Sequence, residues 1–200
     1  MKKSLNSLKN IYLIRHGLAQ HNVNYLLFGK EAYIGEENID THLVPEGIKQ
    51  AKKLGETWKN INDIDFVLVS PLTRTLQTAQ HIFKDVKVPI AACEELKEFS
   101  QGIQTCNKRI EKSKLKENFP FVDFSLIKSQ KDEMWNPERF ETEEELSERA
   151  DIVRNFIKTL RVKNVAIISH STFIMKYYYK KISQKYDDEL KHCFPYHLKE

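Results

Sequence analysis

The sequence predicts an α/β fold, a three-layer α/β/α sandwich around a mainly parallel sheet. Short apolar runs beginning at Ile11, Ile64 and Val165 alternate with longer segments in which apolar residues recur every three or four positions. This is the pattern of strands that alternate with helices. Each run ends at polar residues, as buried strands do where they open onto a site. We therefore expect helices on both faces of the sheet and functional side chains at the carboxyl ends of its strands.

Length and composition are those of one globular domain. The chain has 200 residues, of which 40% are hydrophobic and 30% charged. This is enough to bury a core without a disulfide or a structural metal. We expect a single domain over 1–200, with an insertion or lid at about 93–142. The formal net charge of +4 is too small to indicate a nucleic-acid partner by itself.

The cysteines and the hydropathy pattern favour a cytoplasmic protein. Cys93, Cys106 and Cys193 are odd in number and lack the Cys-x-x-Cys spacing, so they favour neither a disulfide framework nor a zinc site. No apolar stretch reaches the length of a membrane span, and the residues before Ile11 are too polar for a signal peptide. Neither a membrane partner nor a bound metal is expected.

The first half of the chain predicts two strands and two helices. The strand from Ile11 is followed at 23–44 by residues without clear periodicity, which predict a loop over the mouth of the sheet. Helices are predicted over about 45–60 and 73–83, because each segment carries an apolar stripe at helical spacing. A buried strand at 64–69 lies between them.

The middle of the chain predicts a weak strand and an insertion. Pro89 places the strand at 86–92 on an edge of the sheet, since proline cannot donate a ladder hydrogen bond. The mixed segment 93–142 is rich in Lys and Glu but also holds aromatic residues, which favour an ordered insertion over a disordered linker. We expect those aromatic residues to form a small core of the insertion: Phe119, Phe121, Phe124 and Trp135.

The last third predicts a helix, a strand and a second helix. Thr142 and Glu145 form a capping-box pattern at the start of a helix that reaches about residue 160. The apolar run at 165–170 predicts a strand, and a helix follows from Thr172. The polar tail from Asp187 onward gives no clear prediction.

Three strand ends bring basic side chains to one edge of the predicted sheet. Arg15 and His16 follow the first strand, Arg74 follows the second, and His170 ends the fourth. Right-handed crossovers keep such strand ends together. Guanidinium groups bind phosphate oxygens in bidentate fashion and an imidazole can attack phosphorus, so the constellation predicts a phosphoryl-transfer site. The acidic run after the third strand offers a proton donor for the leaving oxygen: Glu94, Glu95 and Glu98.

Motifs in order along the chain carry a resemblance to a known family. They are Arg15-His16-Gly17 with Asn22; Asp40, Leu43, Gly47 and Gln50-Ala51; Ser70-Pro71-Leu72-Thr73-Arg74 with Gln77-Thr78-Ala79; and Ser169-His170-Ser171. As an ordered set they resemble the histidine phosphatase superfamily, also called phosphoglycerate mutase-like. A second set resembles its plant and fungal phosphoglycerate mutase-like branch: His21-Asn22-Val23, Cys106 with Arg109, Phe119-Pro120 with Asp123-Phe124-Ser125, and Trp135 with Pro137 and Arg139.

The resemblance implies a role for each polar side chain at the strand ends. His16 would become phosphorylated, and the phosphoryl group would be held by Arg15, Arg74 and His170. Leu96-Lys97-Glu98 followed by Gly102 looks like the family's Leu-x-Glu with a glycine four residues on, which assigns the proton donor to Glu98. Glu95 is the alternative donor. The chain departs from common members at Leu18 and at Ser171-Thr172, which leaves the choice of substrate open.

The predicted activity is hydrolysis of a small phosphorylated substrate through phosphohistidine, without a cofactor. The attacking nitrogen of His16 must be unprotonated, so the other nitrogen is expected to donate to a backbone carbonyl near Gly17. Glu98 would act first as an acid and then as a base. The alternatives are a mutase, which returns the phosphoryl group to a second oxygen, and a phosphate-binding protein without turnover. Substrate identity and oligomeric state do not follow from the sequence.

Several polar residues permit two interpretations. Asn22 either donates to the phosphate or shapes the turn after the first strand. His21 is not placed to complete a metal site with His16.

The remaining histidines are expected at the surface: His42, His81, His192 and His197. Cys106 is expected to pack. A basic cluster in the insertion is expected to be a solvated helix face, with an anionic substrate tail as the other interpretation: Lys108, Arg109, Lys112, Lys114 and Lys116.

Overall fold

The computed structural model describes residues 8–99, 104–182 and 190–200. In this part of the chain, five strands form one sheet in the order β3-β2-β4-β1-β5: β1 (Asn10–Arg15), β2 (Phe66–Val69), β3 (Ile90–Ala92), β4 (Asn164–Ser169) and β5 (Pro195–Lys199). The same part holds six α-helices: α1 (Gln20–Phe28), α2 (Pro45–Thr57), α3 (Thr73–Ile82), α4 (Lys112–Asn118), α5 (Glu143–Thr159) and α6 (Ser171–Tyr179). Short 3₁₀ helices lie at Gly29–Tyr33, Glu36–Asn38, Ile61–Asp63, Glu94–Leu96 and Thr105–Asn107.

The sheet is parallel except at one edge, as the sequence predicts. β1 and β2 both pair in parallel with β4, and β3 pairs in parallel with β2. Arg15 is opposite Ser169, and Val69 is opposite Ile168, so the carboxyl ends of β1, β4 and β2 lie side by side. β3 is the predicted edge strand, shortened to the three residues after Pro89. The three strand ends therefore meet at one place.

Helices cover both faces of the sheet. Along β1, Ile11 and Leu13 pack with residues of α5 and α6, whereas Tyr12 and Ile14 pack with residues of α2 and α3. β4 alternates in the same way. A strand whose two faces are both buried reads as a continuous apolar run, which is why these strands were visible in the sequence. The three-layer prediction is confirmed.

The prediction of a loop over 23–44 is wrong. α1 and two 3₁₀ helices occupy most of this segment, beginning at Gln20. Leu26, Leu27 and Phe28 are 64–70% exposed. Since the apolar residues of α1 do not form a buried stripe, the helix leaves no periodic pattern to detect.

The expectation of a separate aromatic core in the insertion is corrected. Phe119 and Phe124 of the insertion belong to the same core cluster as Val67 of β2, so they add to the main core instead of forming one of their own. Phe121 is 42% exposed.

The tail, for which the sequence gives no clear prediction, contains β5, which pairs antiparallel with β1. Among the described residues, no helix is long and apolar enough to cross a membrane.

Candidate active site

The turn after β1 packs directly on the start of α2. A Cβ atom on Gly17 would lie 2.5 Å from the carbonyl oxygen of Gly47, and one on Gly47 would lie 2.0 Å from that of Leu18. Only glycine at both positions permits this approach of two backbones. The amide of His16 donates to the carbonyl of Ser169 at 3.0 Å. The end of β1 is thus held between β4 and α2, which fixes the direction of the His16 side chain.

His16 has the protonation state that a nucleophile needs. Its Nδ1 lies 2.7 Å from the carbonyl oxygen of Gly17. A carbonyl oxygen only accepts, so Nδ1 carries the proton and Nε2 presents a lone pair. Burial first, and then the charge of Arg74, hold the pKa of His16 well below its usual value. The predicted hydrogen bond near Gly17 is confirmed.

His170 lies beside His16, with 5.1 Å between the ring centroids. Its Nε2 is 2.9 Å from the hydroxyl oxygen of Ser70 at the end of β2. Its Nδ1 is buried and has no hydrogen-bond partner among the residues that the structure describes. Burial and the charge of Arg74 lower the pKa of His170 well below its usual value. A neutral imidazole with a free nitrogen can contact an entering ligand.

Arg74 projects from the first turn of α3 and is 1% exposed. Its Nη1 donates to the carbonyl oxygen of Cys106 at 2.7 Å, and its Nη2 donates to Oδ1 of Asn107 at 2.9 Å. The preceding turn is held by Asp40, whose carboxylate accepts from the amide and the hydroxyl of Thr73 at 2.7 and 2.9 Å. The Arg74 side chain is therefore held at its guanidinium by Cys106 and Asn107, while Asp40 holds the backbone turn from which it projects.

Arg15 supplies the second guanidinium. It is 4% exposed, and its Nη1 donates to the carbonyl oxygen of Leu190 at 2.7 Å. The charges of Arg15 and Arg74 both lower the pKa of His16, as expected for cations close to the imidazole. The structure thus brings together the four predicted side chains of the strand ends: Arg15, His16, Arg74 and His170.

Glu98 lies at the amino end of α6. Its Oε1 accepts from the amides of Phe99 and Phe173 at 2.8 and 3.3 Å, and its Oε2 accepts from the amide of Thr172 at 3.4 Å. Burial raises the pKa of Glu98, while the Phe99 amide and the charge of Arg74 oppose the rise. The alternative, Glu95, instead accepts from the thiol of Cys93 at 2.9 Å. Gly102, the glycine of the predicted Leu-x-Glu pattern, lies outside the described residues.

A cavity of about 220 Å³ opens beside Glu98. Its wall includes Asn107 and Trp135 from the insertion and Arg149 from α5. Arg149 is tied to Glu141 through Nε at 2.5 Å and Nη2 at 2.8 Å. The cavity therefore lies next to Glu98, between the insertion and α5.

Two histidines near His16 were not predicted to contact the site. His192 was expected at the surface, but its Nδ1 donates to the carbonyl oxygen of His16 at 2.5 Å, with 5.5 Å between the ring centroids. Burial and then the charge of Arg15 lower its pKa to about 4. His21 is also buried, 5.8 Å from His16 between centroids, with its Nδ1 2.7 Å from the hydroxyl oxygen of Thr41. His192 lies in a tail without periodicity, so no local signal could have found it.

Asn22 makes the turn-shaping contact of its two predicted alternatives. The side-chain Oδ1 of Asn22 accepts from the backbone amide of Ala19 at 3.1 Å. The backbone amide of Asn22 donates to the carbonyl oxygen of Ala19 at 3.0 Å. These bonds close the first turn of α1. Binding of phosphate by Asn22 stays a prediction.

The basic cluster of the insertion is a solvated helix face only in part. Lys114 and Lys116 are exposed on α4 as expected, whereas Arg109 and Lys112 are held by other segments. Arg109 is 2% exposed, donates to Glu94 at 2.6 Å, and binds the carbonyl oxygens of residues 129–131 at 2.8–2.9 Å. Lys112 donates to the carbonyl oxygen of Ile127 at 2.6 Å. These two side chains therefore hold the loops of the insertion together. Lys108 lies over the ring of Trp135, 4.5 Å from its centroid.

The fold and the site define a class of protein: an α/β domain that gathers two arginines and two histidines at the carboxyl edge of its sheet. A family model of the histidine phosphatase superfamily (branch 1) matches residues 11–192. The chain belongs to this superfamily. Phosphoglycerate mutase-like protein 2 of Arabidopsis thaliana is 30% identical over 85% of this chain and 65% of its own length.

A broad-specificity phosphatase of Saccharomyces cerevisiae is 28% identical over 82% of this chain and 66% of its own length. The chain thus spans about two thirds of the length of each of these relatives. A phosphoglycerate mutase structure from Bacillus anthracis aligns over 92% of this chain and 86% of its own, with a TM-score of 0.59 and 20% identity, which reflects the shared fold. Family membership and these names support an enzyme of the phosphatase or mutase type.

Proposed function

We propose that the chain hydrolyses a phosphomonoester through a phosphohistidine at His16. The observation that carries the proposal is the hydrogen bond between Nδ1 of His16 and the carbonyl oxygen of Gly17, which leaves Nε2 unprotonated among cationic side chains. An unprotonated imidazole nitrogen is a nucleophile, and adjacent guanidiniums stabilise the negative charge of a transferring phosphoryl group.

The reaction has two steps. Nε2 of His16 attacks phosphorus and the bond to the leaving oxygen breaks, while protonated Glu98 gives its proton to that oxygen. Glu98, now a carboxylate, takes a proton from water, whose oxygen attacks phosphorus and breaks the bond to nitrogen. The phosphoryl oxygens would be bound by Arg15, Arg74 and His170. In this scheme the two arginines supply the positive charge, and no cofactor takes part.

The proposal is tested by measuring phosphate release from a panel of phosphomonoesters in the presence of a chelator. We expect turnover in the wild type, an acid-labile phosphoenzyme, and the loss of both in His16→Ala. His81→Ala, which changes a histidine on α3 outside the site, is the matched control and should retain activity. Full phosphatase activity in His16→Ala would overturn the proposal.

A mutase is the second candidate, because the Arabidopsis relative bears a phosphoglycerate mutase-like name. A mutase would return the phosphoryl group of His16 to a second oxygen of the substrate instead of to water. A substrate with an isotopic label in its phosphoryl group distinguishes hydrolysis from mutase activity. Hydrolysis releases the label as inorganic phosphate, whereas a mutase retains it in an isomer of the substrate. Saturable phosphate binding without turnover of any ester would favour a phosphate-binding protein.

A further inference from the structure

We propose that Asn107 is a positioning residue that aims the Arg74 guanidinium at the phosphate of the substrate. The inference rests on the proposed function, since it takes Arg74 as a phosphate ligand. Asn107 lies in the insertion, in the 3₁₀ helix Thr105–Asn107, and reaches the site only through the fold. It acts through Arg74 and has no chemical step of its own.

The hydrogen bonds of Arg74 show what Asn107 controls. The bonds from Nη1 to Cys106 and from Nη2 to Asn107 define the plane of the guanidinium. Nε is buried and has no hydrogen-bond partner within the described ranges. A buried donor without a partner is unfavourable, and an entering phosphate oxygen would satisfy it. The guanidinium is thus held on one side by the protein, with a donor left for a ligand.

The side chain of Asn107 is held at both ends of its amide. A guanidinium only donates, so the atom that faces Arg74 must be the amide oxygen. Nδ2 then donates to Oε1 of Gln104 at 3.2 Å and to the carbonyl oxygen of Phe99 at 3.4 Å. Asn107 is 4% exposed. An amide that accepts at one end and donates at the other cannot turn without losing bonds at both.

The second end of this amide leads to Glu98. Asn107 donates to the carbonyl oxygen of Phe99, and the amide of Phe99 donates to Oε1 of Glu98 at 2.8 Å. Asn107 therefore connects the guanidinium that would bind phosphate with the segment that carries the proton donor. The first step of the reaction requires these two groups to be held in a defined arrangement, to which this connection contributes.

The test measures the affinity of the full-length protein for inorganic phosphate by calorimetry, which does not depend on turnover. The variants are Asn107→Leu, which keeps the shape of the side chain, Asn107→Ala, Arg74→Ala, and the double variant Arg74→Ala/Asn107→Leu. We expect Asn107→Leu to raise the Kd about tenfold, a change typical of a lost positioning bond. Because Asn107 acts through Arg74, the double variant should bind phosphate as Arg74→Ala does.

Asn38→Ala is the matched control. Asn38 is another buried asparagine, and its Nδ2 also donates to a backbone carbonyl and a side-chain oxygen, those of Ile34 and Glu37. It makes no hydrogen bond to Arg74 among the contacts of the described residues. The neighbouring Gly35 accepts from the hydroxyl of Thr105 at 2.6 Å, so the control also reports a general loosening of the 3₁₀ helix that holds Asn107. We expect its Kd to stay within twofold of the wild type.

The results distinguish a failure of the proposed function from a failure of the role proposed for Asn107. If Arg74→Ala leaves the phosphate Kd unchanged, the assignment of Arg74 in the proposed function fails. If Arg74→Ala weakens binding but both Asn107 variants bind like the wild type, the role of Asn107 is overturned. Additive losses in the double variant would likewise overturn it, because they would show that Asn107 acts independently of Arg74. Should Asn107→Leu not fold, Asn107→Ala gives the same comparison.

Discussion

Burial has opposite effects on the two residues that would carry the chemistry. It lowers the pKa of His16, which keeps the imidazole neutral, and it raises the pKa of Glu98, which keeps the proton on the carboxyl group to higher pH. The charge of Arg74 further lowers the pKa of His16 and limits the rise in the pKa of Glu98. An unprotonated nucleophile and a protonated acid can therefore coexist in mildly acidic solution, the combination that the first step requires.

The proton donor can be tested through the leaving group. We expect Glu98→Gln to lower kcat/KM about 10²- to 10⁴-fold for an alkyl phosphate, because general acid catalysis is worth about that much. The loss should be far smaller for p-nitrophenyl phosphate, whose leaving oxygen needs no proton. In the wild type, kcat/KM for the alkyl phosphate should fall as pH rises through the raised pKa of Glu98.

Glu95→Gln is the control for this measurement, since Glu95 is the alternative donor and contacts Cys93 instead of α6. We expect it to behave like the wild type toward both esters. An equal loss toward both esters in Glu98→Gln, or a selective loss in Glu95→Gln, would contradict the assignment.

At the level of elements, the site depends on how the loops after the strands are braced. The turn after β1 packs on the first turn of α2, where two glycine backbones meet. The turn after β2 is held by Asp40, which also accepts from the amide of Ile110 at 3.1 Å and so ties α3 to the insertion. Asp40 adopts a φ of +49°, a left-handed conformation that aspartate tolerates better than most residues. Side chains and backbone outside the strands therefore determine where Arg74 and His16 point.

Substitution of Gly47 tests the brace at α2. We expect Gly47→Ala to lower the free energy of unfolding by about 3 kcal/mol, because the added methyl group would overlap the backbone of Leu18. Catalysis should fall as well, since Leu18 follows the turn that carries His16. Urea denaturation and kcat/KM for p-nitrophenyl phosphate measure the two effects.

Gly29→Ala is the matched control. A Cβ atom there meets nothing within 4 Å, but the φ of +62° is unfavourable for alanine. With a ψ of −143° the backbone there lies in a region almost restricted to glycine, so we expect a loss of about 2 kcal/mol from backbone conformation alone, and unchanged catalysis. A Gly47→Ala protein as stable and active as Gly29→Ala would show that the close approach does not matter.

For the whole molecule, the site lies at the carboxyl edge of the sheet, and its four basic side chains are almost fully buried. Arg15, His16, Arg74 and His170 are 0–4% exposed. Segments far apart in the chain cover them: Cys106 and Asn107 contact Arg74, and Leu190 contacts Arg15. Folding therefore buries several imidazoles in neutral form, which couples stability to pH.

This coupling can be measured with His21. Its burial, and then the charge of Arg74, hold the pKa of His21 well below its usual value. Below pH 6.5 the unfolded state takes up a proton at this residue and the folded state does not, so stability falls as the pH is lowered. Between pH 7.5 and 5.5 we expect the wild type to lose about 1.4 kcal/mol more of its unfolding free energy than His21→Gln.

The comparison of the two proteins cancels the other titrating groups, including buried carboxyl groups such as Asp40, whose raised pKa acts in the opposite direction. His42→Gln, at an exposed position, is the control and should follow the wild type. Parallel stability curves for His21→Gln and the wild type would contradict the linkage.

The strands and their ends could be predicted from the sequence because their signals are local. β1, β2 and β4 are buried on both faces and therefore appear as unbroken apolar runs, and parallel pairing brings their ends together whatever the loops do. That logic placed Arg15, His16, Arg74 and His170 in one site. The capping box at Thr142 and Glu145 is likewise local, and the structure contains it.

Only the tertiary structure decided the contacts that depend on distant segments. His192 lies next to His16 although 176 positions separate them, and β5 is defined by its pairing with β1 and not by its own composition. Asn107 contacts Arg74 from a three-residue 3₁₀ helix, and Glu98 contacts α6 from irregular backbone. No periodicity in the sequence encodes the path of either segment. The sequence by itself thus determined which groups at the strand ends reach the site, because strand patterns are local. The packing of loops and tail decided how those groups are aimed and enclosed, because such contacts form only once the chain has folded.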